Sequence, residues 1–435
     1  MDSRERYSIR RNTEIKYTWH RVRIGLKNVC GSVLALLWLG SALVIGTVIY
    51  VNSMHRLYDF TGNIPIFRIF MTSNFIFLTF TFLFLYLLLY GTPLCASRVK
   101  ESLLKAGITN YAGEAPVLIC KTQNKKFPGI TIWEFAPCGI PMKIWEDKKE
   151  YIEAAMNVLI ADMRWSKDGK YFYLYTAPTQ TAFPEKIEWT QEYLSNESFV
   201  IILGKSLLGM AMVDLTKIPH ILIGGSTGSG KSVLLRLMLM QAVEKGAIVH
   251  IADFKGGVDF SHVWHEKCDM CFDLEKLSNM LKTLLEILQE RKYLFAKLGC
   301  PNLDEYNRLT GEQLPRHIVA CDEVAEFLDK TGLTKEDKAA IDSIVSQLST
   351  IARLGRAFGI HLILATQRPD ANLIPGQIRN NLDGRICGRA DNVLSQIILD
   401  STAAADQIPK DSRGRFLTYD GTLFQAFWFE EKNWH

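Results

Sequence analysis

Residues 219–232 read Pro219-His220-Ile221-Leu222-Ile223-Gly224-Gly225-Ser226-Thr227-Gly228-Ser229-Gly230-Lys231-Ser232. His220 to Ile223 is short enough for a buried strand, and an amphipathic helix with Leu234, Leu235, Leu237, Met238 and Met240 follows. Between them, Gly225, Gly230, Lys231 and Ser232 satisfy the pattern G-x-x-x-x-G-K-S. Glycines let the backbone turn sharply, so that the N–H groups of Gly225, Ser226, Thr227, Gly228, Ser229 and Gly230 converge on a polyphosphate. The start of the helix adds its dipole at the same place. Lys231 is then the cation for the β- and γ-phosphates of ATP, and Ser232 a ligand for Mg²⁺.

Three more apolar runs end in polar loops. His317-Ile318-Val319-Ala320-Cys321 runs into Asp322-Glu323. The first acid is placed to orient Mg²⁺ and its water, the second to polarise the attacking water as a general base. His361-Leu362-Ile363-Leu364-Ala365 runs into Thr366-Gln367-Arg368-Pro369, with Gln367 the candidate for sensing the γ-phosphate. Ile248-Val249-His250-Ile251-Ala252 runs into Asp253-Phe254-Lys255-Gly256-Gly257. Strands alternating with helices imply an α/β fold with a mainly parallel sheet and ligands at the carboxyl ends of its strands.

Towards the amino terminus, residues 29–54 and 69–97 contain no charged side chain. Roughly 20 apolar residues cross a bilayer as a helix, so both stretches are long enough. Residues 1–28 hold eight Lys or Arg, among them Arg4, Arg21 and Lys27, against three acids, and Arg98, Lys100 and Lys105 follow the second stretch. Positive charge on both flanks places both termini in the cytoplasm. The expected layout is a basic tail (1–28), a two-helix membrane anchor (29–97), a small α+β adaptor (98–200) and a P-loop motor (201–435). Within the adaptor, Ile152, Ala155, Met156, Leu159, Ile160 and Met163 recur with helical spacing, predicting a helix over 150–165. Nine irregularly spaced cysteines suit a reducing compartment. The net charge of +4 is too small to assign a partner.

Taken in order, Pro219–Ser232, Glu290-Arg291-Lys292 to Tyr306-Asn307, Asp322-Glu323, Gly355-Arg356-Ala357-Phe358-Gly359-Ile360-His361 and Ala365–Pro369 resemble the FtsK/SpoIIIE family of DNA-pumping motors over about residues 195–430. The resemblance implies a RecA-like ATPase that assembles as a homo-hexamer around DNA, with an arginine reaching the neighbour's nucleotide. Arg356 is a candidate for that finger, with Arg353 and Arg385 as alternatives. Two spans, no long linker and a chain that finishes soon after a β-hairpin over 415–424, with Asp420-Gly421 at its turn, are similar to the coupling proteins of Gram-positive conjugative elements. Those deliver a relaxase–DNA complex to a type IV secretion channel at the bacterial cell membrane. A chromosome-partitioning pump and a protein-export ATPase remain as alternatives.

Three weaker signals were weighed. His262, His265, Cys268 and Cys271 are zinc-ligand types, but on one helix such spacing drifts around the axis and does not enclose an ion. Leucines over 274–298 mark either a coiled-coil seam or, as expected from the short run, a helix packed on the motor sheet. Lys330, Lys335 and Lys338 fit either a solvated loop or a loop lining a DNA pore.

Overall fold

The computed structural model describes residues 3–61, 64–179, 181, 183–368 and 374–434. The chain forms two compact units, Met1–Thr181 and Ala182–His435.

In the first unit, α1 (Ser3–Cys30), α2 (Val33–Thr61) and α3 (Pro65–Gly91) precede α4 (Ala96–Lys105), β1 (Val117–Gln123), β2 (Thr131–Ala136), α5 (Met142–Asp147), α6 (Lys149–Met156), β3 (Val158–Trp165) and β4 (Phe172–Pro178). Val33–Phe60 and Pro65–Gly91 are long and apolar enough to cross a membrane. They pair through the Tyr86 hydroxyl, which donates to the Ala35 carbonyl (2.7 Å), and through Tyr50 stacked on Phe75. The basic segment is a helix, continuous to Cys30. Among its described side chains, Asn28 donates to the Tyr90 carbonyl at 3.0 Å and His20 lies against Tyr171 of β4. The side chains of residues 1–14 and of Lys16 lie outside the described residues.

α1 meets α3 backbone to backbone at Gly25 and Gly91. A Cβ on Gly25 would stand 1.8 Å from the Leu87 oxygen, and one on Gly91 1.8 Å from the Arg21 oxygen. Small residues permit such an approach, and a larger one must push the helices apart. Gly91→Val is expected to destabilise the detergent-solubilised chain by about 1–3 kcal/mol, read as a lower melting temperature. An unchanged melt would show that the helices do not cross there.

The adaptor sheet is antiparallel, in the order β1-β2-β4-β3. Its core holds Phe135, Trp145, Phe172 and Leu174, with Trp145 stacked on Phe172. The helix expected over 150–165 stops at Met156. Asn157 adopts a left-handed conformation (φ 54°) and the chain turns into β3. Its apolar positions satisfy a helical spacing only because α6 and β3 each contribute part of it.

The second unit contains β5 (Ile187–Glu188), β6 (Val200–Ser206), β7 (Gly209–Asp214), β8 (His220–Gly224), α7 (Lys231–Glu244), β9 (Ile248–Ala252), α8 (His262–Lys267), β10 (Asp269–Cys271), α9 (Leu274–Leu298), α10 (Leu303–Thr310), β11 (His317–Cys321), α11 (Ala325–Leu328), α12 (Lys335–Phe358), β12 (Ile360–Thr366), α13 (Gly376–Arg379), β13 (Gly384–Cys387), α14 (Asn392–Leu399), α15 (Ala403–Gln407), β14 (Arg415–Thr418) and β15 (Leu423–Trp428). Residues 182–200, assigned above to the adaptor, belong to this unit, because β5 and β6 both pair with β15.

One sheet runs β10-β9-β11-β12-β8-β13-β14-β15-β6-β7, with β5 beside β15. It is parallel from β10 to β13 and antiparallel from β13 to β7, including the expected β14–β15 hairpin, while β5 runs parallel to β15. The parallel strands β8, β11 and β12 are buried throughout, which is why each reads as a short apolar run. α7 packs on one face in a cluster with Ile223, Ile251 and Ile363. α9 and α12 pack on the other through Leu281, Leu288, Ile344 and Leu348, as expected for a helix on the sheet.

A row of histidines crosses the sheet away from the strands' carboxyl ends. His250 Nδ1 pairs with Asp269 and its Nε2 with His317 Nδ1 at 3.2 Å. His361 Nε2 meets Arg316 at 3.2 Å and its Nδ1 meets the Pro219 carbonyl at 3.1 Å. His220 Nδ1 accepts from the Leu362 N–H at 3.1 Å. Burial pushes His220 down to about 4. Burial, Arg291 and His250 push His317 down to about 3, and burial with Arg316 and His220 holds His361 well below the usual range.

Candidate functional site

Helix termini show where an anion belongs. Among the helices of eight or more residues in this unit, side chains cap α9 (Asp273), α10 (Asn302), α12 (Thr334) and α14 (Asp391). The N-cap of α7 is Gly230, at φ 100°, with no side-chain cap. Its first N–H groups are therefore left for a ligand. A substituent there would be strained and would lie 3.1 Å from Gly414 N. The loop is held from outside: Ser226 N donates to the Arg389 carbonyl, Gly225 N to the Thr366 carbonyl, and Gly414 N to the Ser229 carbonyl. Arg389 also donates to the Thr227 carbonyl at 2.6 Å and to the Lys410 carbonyl at 2.7 Å. The Ser229 hydroxyl is buried without a partner among the described residues.

Lys231 and Asp322 are both buried. The Lys231 ammonium donates to Asp322 Oδ1 at 2.7 Å and to the Asp322 carbonyl, and Ser232 Oγ donates to Asp322 Oδ2 at 2.9 Å. A hydroxyl and a carboxylate side by side are the hard oxygen donors that suit Mg²⁺. Next to them, Glu323 accepts from the Thr366 hydroxyl (2.8 Å) and from the Gln367 N–H (2.9 Å). The Gln367 side-chain carbonyl accepts from the Thr227 hydroxyl at 2.8 Å. Lys231, Ser232, Asp322, Glu323 and Gln367 are thus gathered by β8, β11 and β12. Pro369 lies outside the described residues.

Two further residues of the site carry no motif in the sequence. Thr366 stands beside the more conspicuous Gln367. Arg389 follows the run Ile386-Cys387-Gly388 at the end of β13, where the strand-end rule applied elsewhere would have found it.

A second group of acids flanks Asp322. Asp253, at the end of β9, accepts from the Lys255 and Gly257 N–H groups at 3.0 and 2.9 Å. The Lys255 ammonium lies 3.1 Å from Asp259 and 3.9 Å from Glu326. Burial opposes its charge, but Asp259, Asp322 and Glu326 hold it above the usual lysine range. Burial pushes Glu326 up, against the pull of Lys255 and with the help of Glu323, Asp253 and Asp322.

The three candidate fingers lie elsewhere. Arg353 and Arg356 are exposed on the last turns of α12, where with Arg316 and Asp304 they line a cavity of about 500 Å³. Arg385 is engaged within its own chain, bonding Asp400 at 2.6 Å and lying over Tyr419. His262 and His265 sit on α8, Cys268 follows it and Cys271 ends β10. Among the described residues no three His, Cys, Asp or Glu side chains form a group able to hold a metal. Lys330 pairs with Asp342 at 2.5 Å, and Lys335 and Lys338 lie in the first turn of α12.

A parallel sheet with an uncapped glycine-loop helix at the tip of β8, and an acid pair one strand beyond its neighbour, defines a P-loop NTPase. Residues 185–371 match the FtsK/SpoIIIE family. A structure of the pCW3 conjugation coupling protein TcpA, in a monomer form with ATPγS, is 34% identical, covers 78% of this chain and 96% of that one, and superposes with a TM-score of 0.58. The chain belongs to the FtsK/SpoIIIE family. The DNA translocase FtsK of Campylobacter jejuni subsp. jejuni (serotype O:23/36, strain 81-176) is 33% identical over 239 residues, which are 52% of this chain and 24% of that protein. FtsK of Clostridium tetani (strain Massachusetts / E88) is 26% identical over 336 residues, 72% of this chain and 42% of that protein. The chain therefore spans less than half the length of these two relatives.

Proposed function

We propose that this chain is a membrane-anchored motor that hydrolyses ATP to ADP and phosphate to move DNA, serving as the coupling protein that hands a relaxase–DNA complex to a type IV secretion channel. The observation that carries the reading is the joining of Lys231, Ser232, Asp322, Glu323 and Gln367 at the tips of three adjacent parallel strands. The likeness to TcpA along nearly all of that chain supports the role in conjugation.

In this reading the uncapped start of α7 and Lys231 bind the polyphosphate. Ser232 and Asp322 would hold Mg²⁺, which when bound neutralises charge on the phosphoryl oxygens. Glu323 takes the proton of the attacking water, and Gln367 reports on the terminal phosphate. Arg356 or Arg353, exposed on α12, serves a neighbouring subunit of a hexameric ring. The spans α2 and α3 anchor the motor in the bacterial cell membrane, with both termini cytoplasmic by the distribution of basic residues.

The test is ATP turnover by the full chain in detergent or nanodiscs, with and without single- and double-stranded DNA. DNA is expected to stimulate turnover, and Lys231→Ala to lower it at least about a hundredfold. Hydrolysis indifferent to both forms of DNA would overturn the DNA-motor reading in favour of polypeptide export.

A further inference from the structure

The corner between β9 and β11 holds five carboxylates, those of Asp253, Asp259, Asp322, Glu323 and Glu326. Two are met by neutral donors: Asp253 by backbone N–H groups, and Glu323 by a hydroxyl and two backbone N–H groups. The other three share two ammonium groups. Lys231 serves Asp322, and Lys255 stands between Asp259 and Glu326. Lys231 is also the cation the nucleotide requires. When it turns to the phosphates, Asp322 loses its buried partner and Lys255 is the ammonium that remains beside the acids.

The Lys255 side chain is itself exposed, but its loop is held from behind. Arg236 donates to the Ser232 carbonyl (3.3 Å), to the Asp259 carbonyl (2.9 Å) and to Glu431 (2.7 Å). Glu431 in turn accepts from Ser261 N at 3.3 Å. The loop that carries Lys255 is thereby fastened to the same turn of α7 that carries Ser232.

We propose that Lys255 is a positioning residue of the nucleotide site, a fixed counter-charge that lets Lys231 leave Asp322 for the phosphates and that tempers the pull of the acids on a divalent cation. The inference rests on the nucleotide-binding reading of the loop at 225–232. A counter-charge acts on anions and cations with opposite sign, and a purely structural residue does not. Removing it disfavours the bare polyphosphate and favours Mg²⁺. At separations of several ångströms in partly screened surroundings each effect is about three- to tenfold.

The experiment is binding of a fluorescent ADP to the full chain in detergent, first without Mg²⁺ and then with Mg²⁺ titrated at saturating nucleotide. Lys255→Met is expected to weaken Mg²⁺-free ADP about three- to tenfold and to lower the Mg²⁺ half-saturation by a similar factor. Lys255→Arg should restore both, and Lys255→Met with Glu326→Gln should return both towards wild type. Both affinities falling together, or neither moving, overturns the proposal. If the wild-type chain binds no nucleotide at all, the P-loop reading fails first and the inference falls with it.

Discussion

Glu323→Gln is expected to reduce ATP turnover about 10²–10⁴-fold while leaving nucleotide affinity within a few-fold of wild type. Glu323 touches neither the glycine loop nor Lys231, so its charge reaches the nucleotide only through space, and the effect on binding stays within a few-fold. Its two carboxylate oxygens accept from the Thr366 hydroxyl and the Gln367 N–H. An amide fits the same space. Its oxygen takes the Gln367 N–H, and its NH₂ donates to the Thr366 hydroxyl, which can rotate to accept, but that NH₂ also faces the Ala325 N–H, a long bond to the carboxylate (3.4 Å) that the amide gives up. Folding should therefore lose about 1–3 kcal/mol. The amide cannot take a proton from water, and the loss should appear in kcat with little change in KM. A Glu323→Gln variant that turns over at near the wild-type rate would remove this residue from the chemistry.

The second large effect concerns acid. His220, His317 and His361 are buried, and their bonds fix the neutral form: His220 accepts a backbone N–H, and His361 receives an arginine. A proton added to either would set donor against donor beside Arg316 or a main-chain N–H. With folded-state values near 4 for His220, near 3 for His317 and well below normal for His361, the unfolded chain binds more protons below pH 6.5. Stability is therefore complete above pH 6.5 and declines as the pH falls below it, by about 1.4 kcal/mol per pH unit for each histidine. His220 and His317 together remove about 4 kcal/mol by pH 5 and His361 acts in the same direction, which lowers the melting temperature of a unit this size by on the order of 10 °C. Thermal melts of the full chain between pH 7.5 and 5 would show it. A flat profile down to pH 5.5 would mean that the histidines take up protons in the fold as readily as in the unfolded chain.

The parts of this protein that sequence reveals are those in which one local pattern meets one structural demand. β8, β11 and β12 are covered on both faces, so they appear as unbroken apolar runs. Their polar ends could be read as Lys231, Asp322–Glu323 and Gln367 without knowledge of the sheet order. The segment 150–165 misled because a helical spacing persisted across the left-handed Asn157. Composition gives α1 away as basic but not as a helix seated on α3, because the seat is made by two glycines 66 positions apart, Gly25 and Gly91, whose role is to be absent. Arg389 shows the same limit. Its target is a carbonyl on another strand tip, and no motif records a backbone acceptor.

Gln367 is bound twice, by its backbone to the Glu323 carboxylate and by its side chain to the Thr227 hydroxyl. One residue thus joins the proposed general base to the proposed phosphate loop. Displacing the tip of β12 tugs on both at once, and neither can be released without news reaching the other.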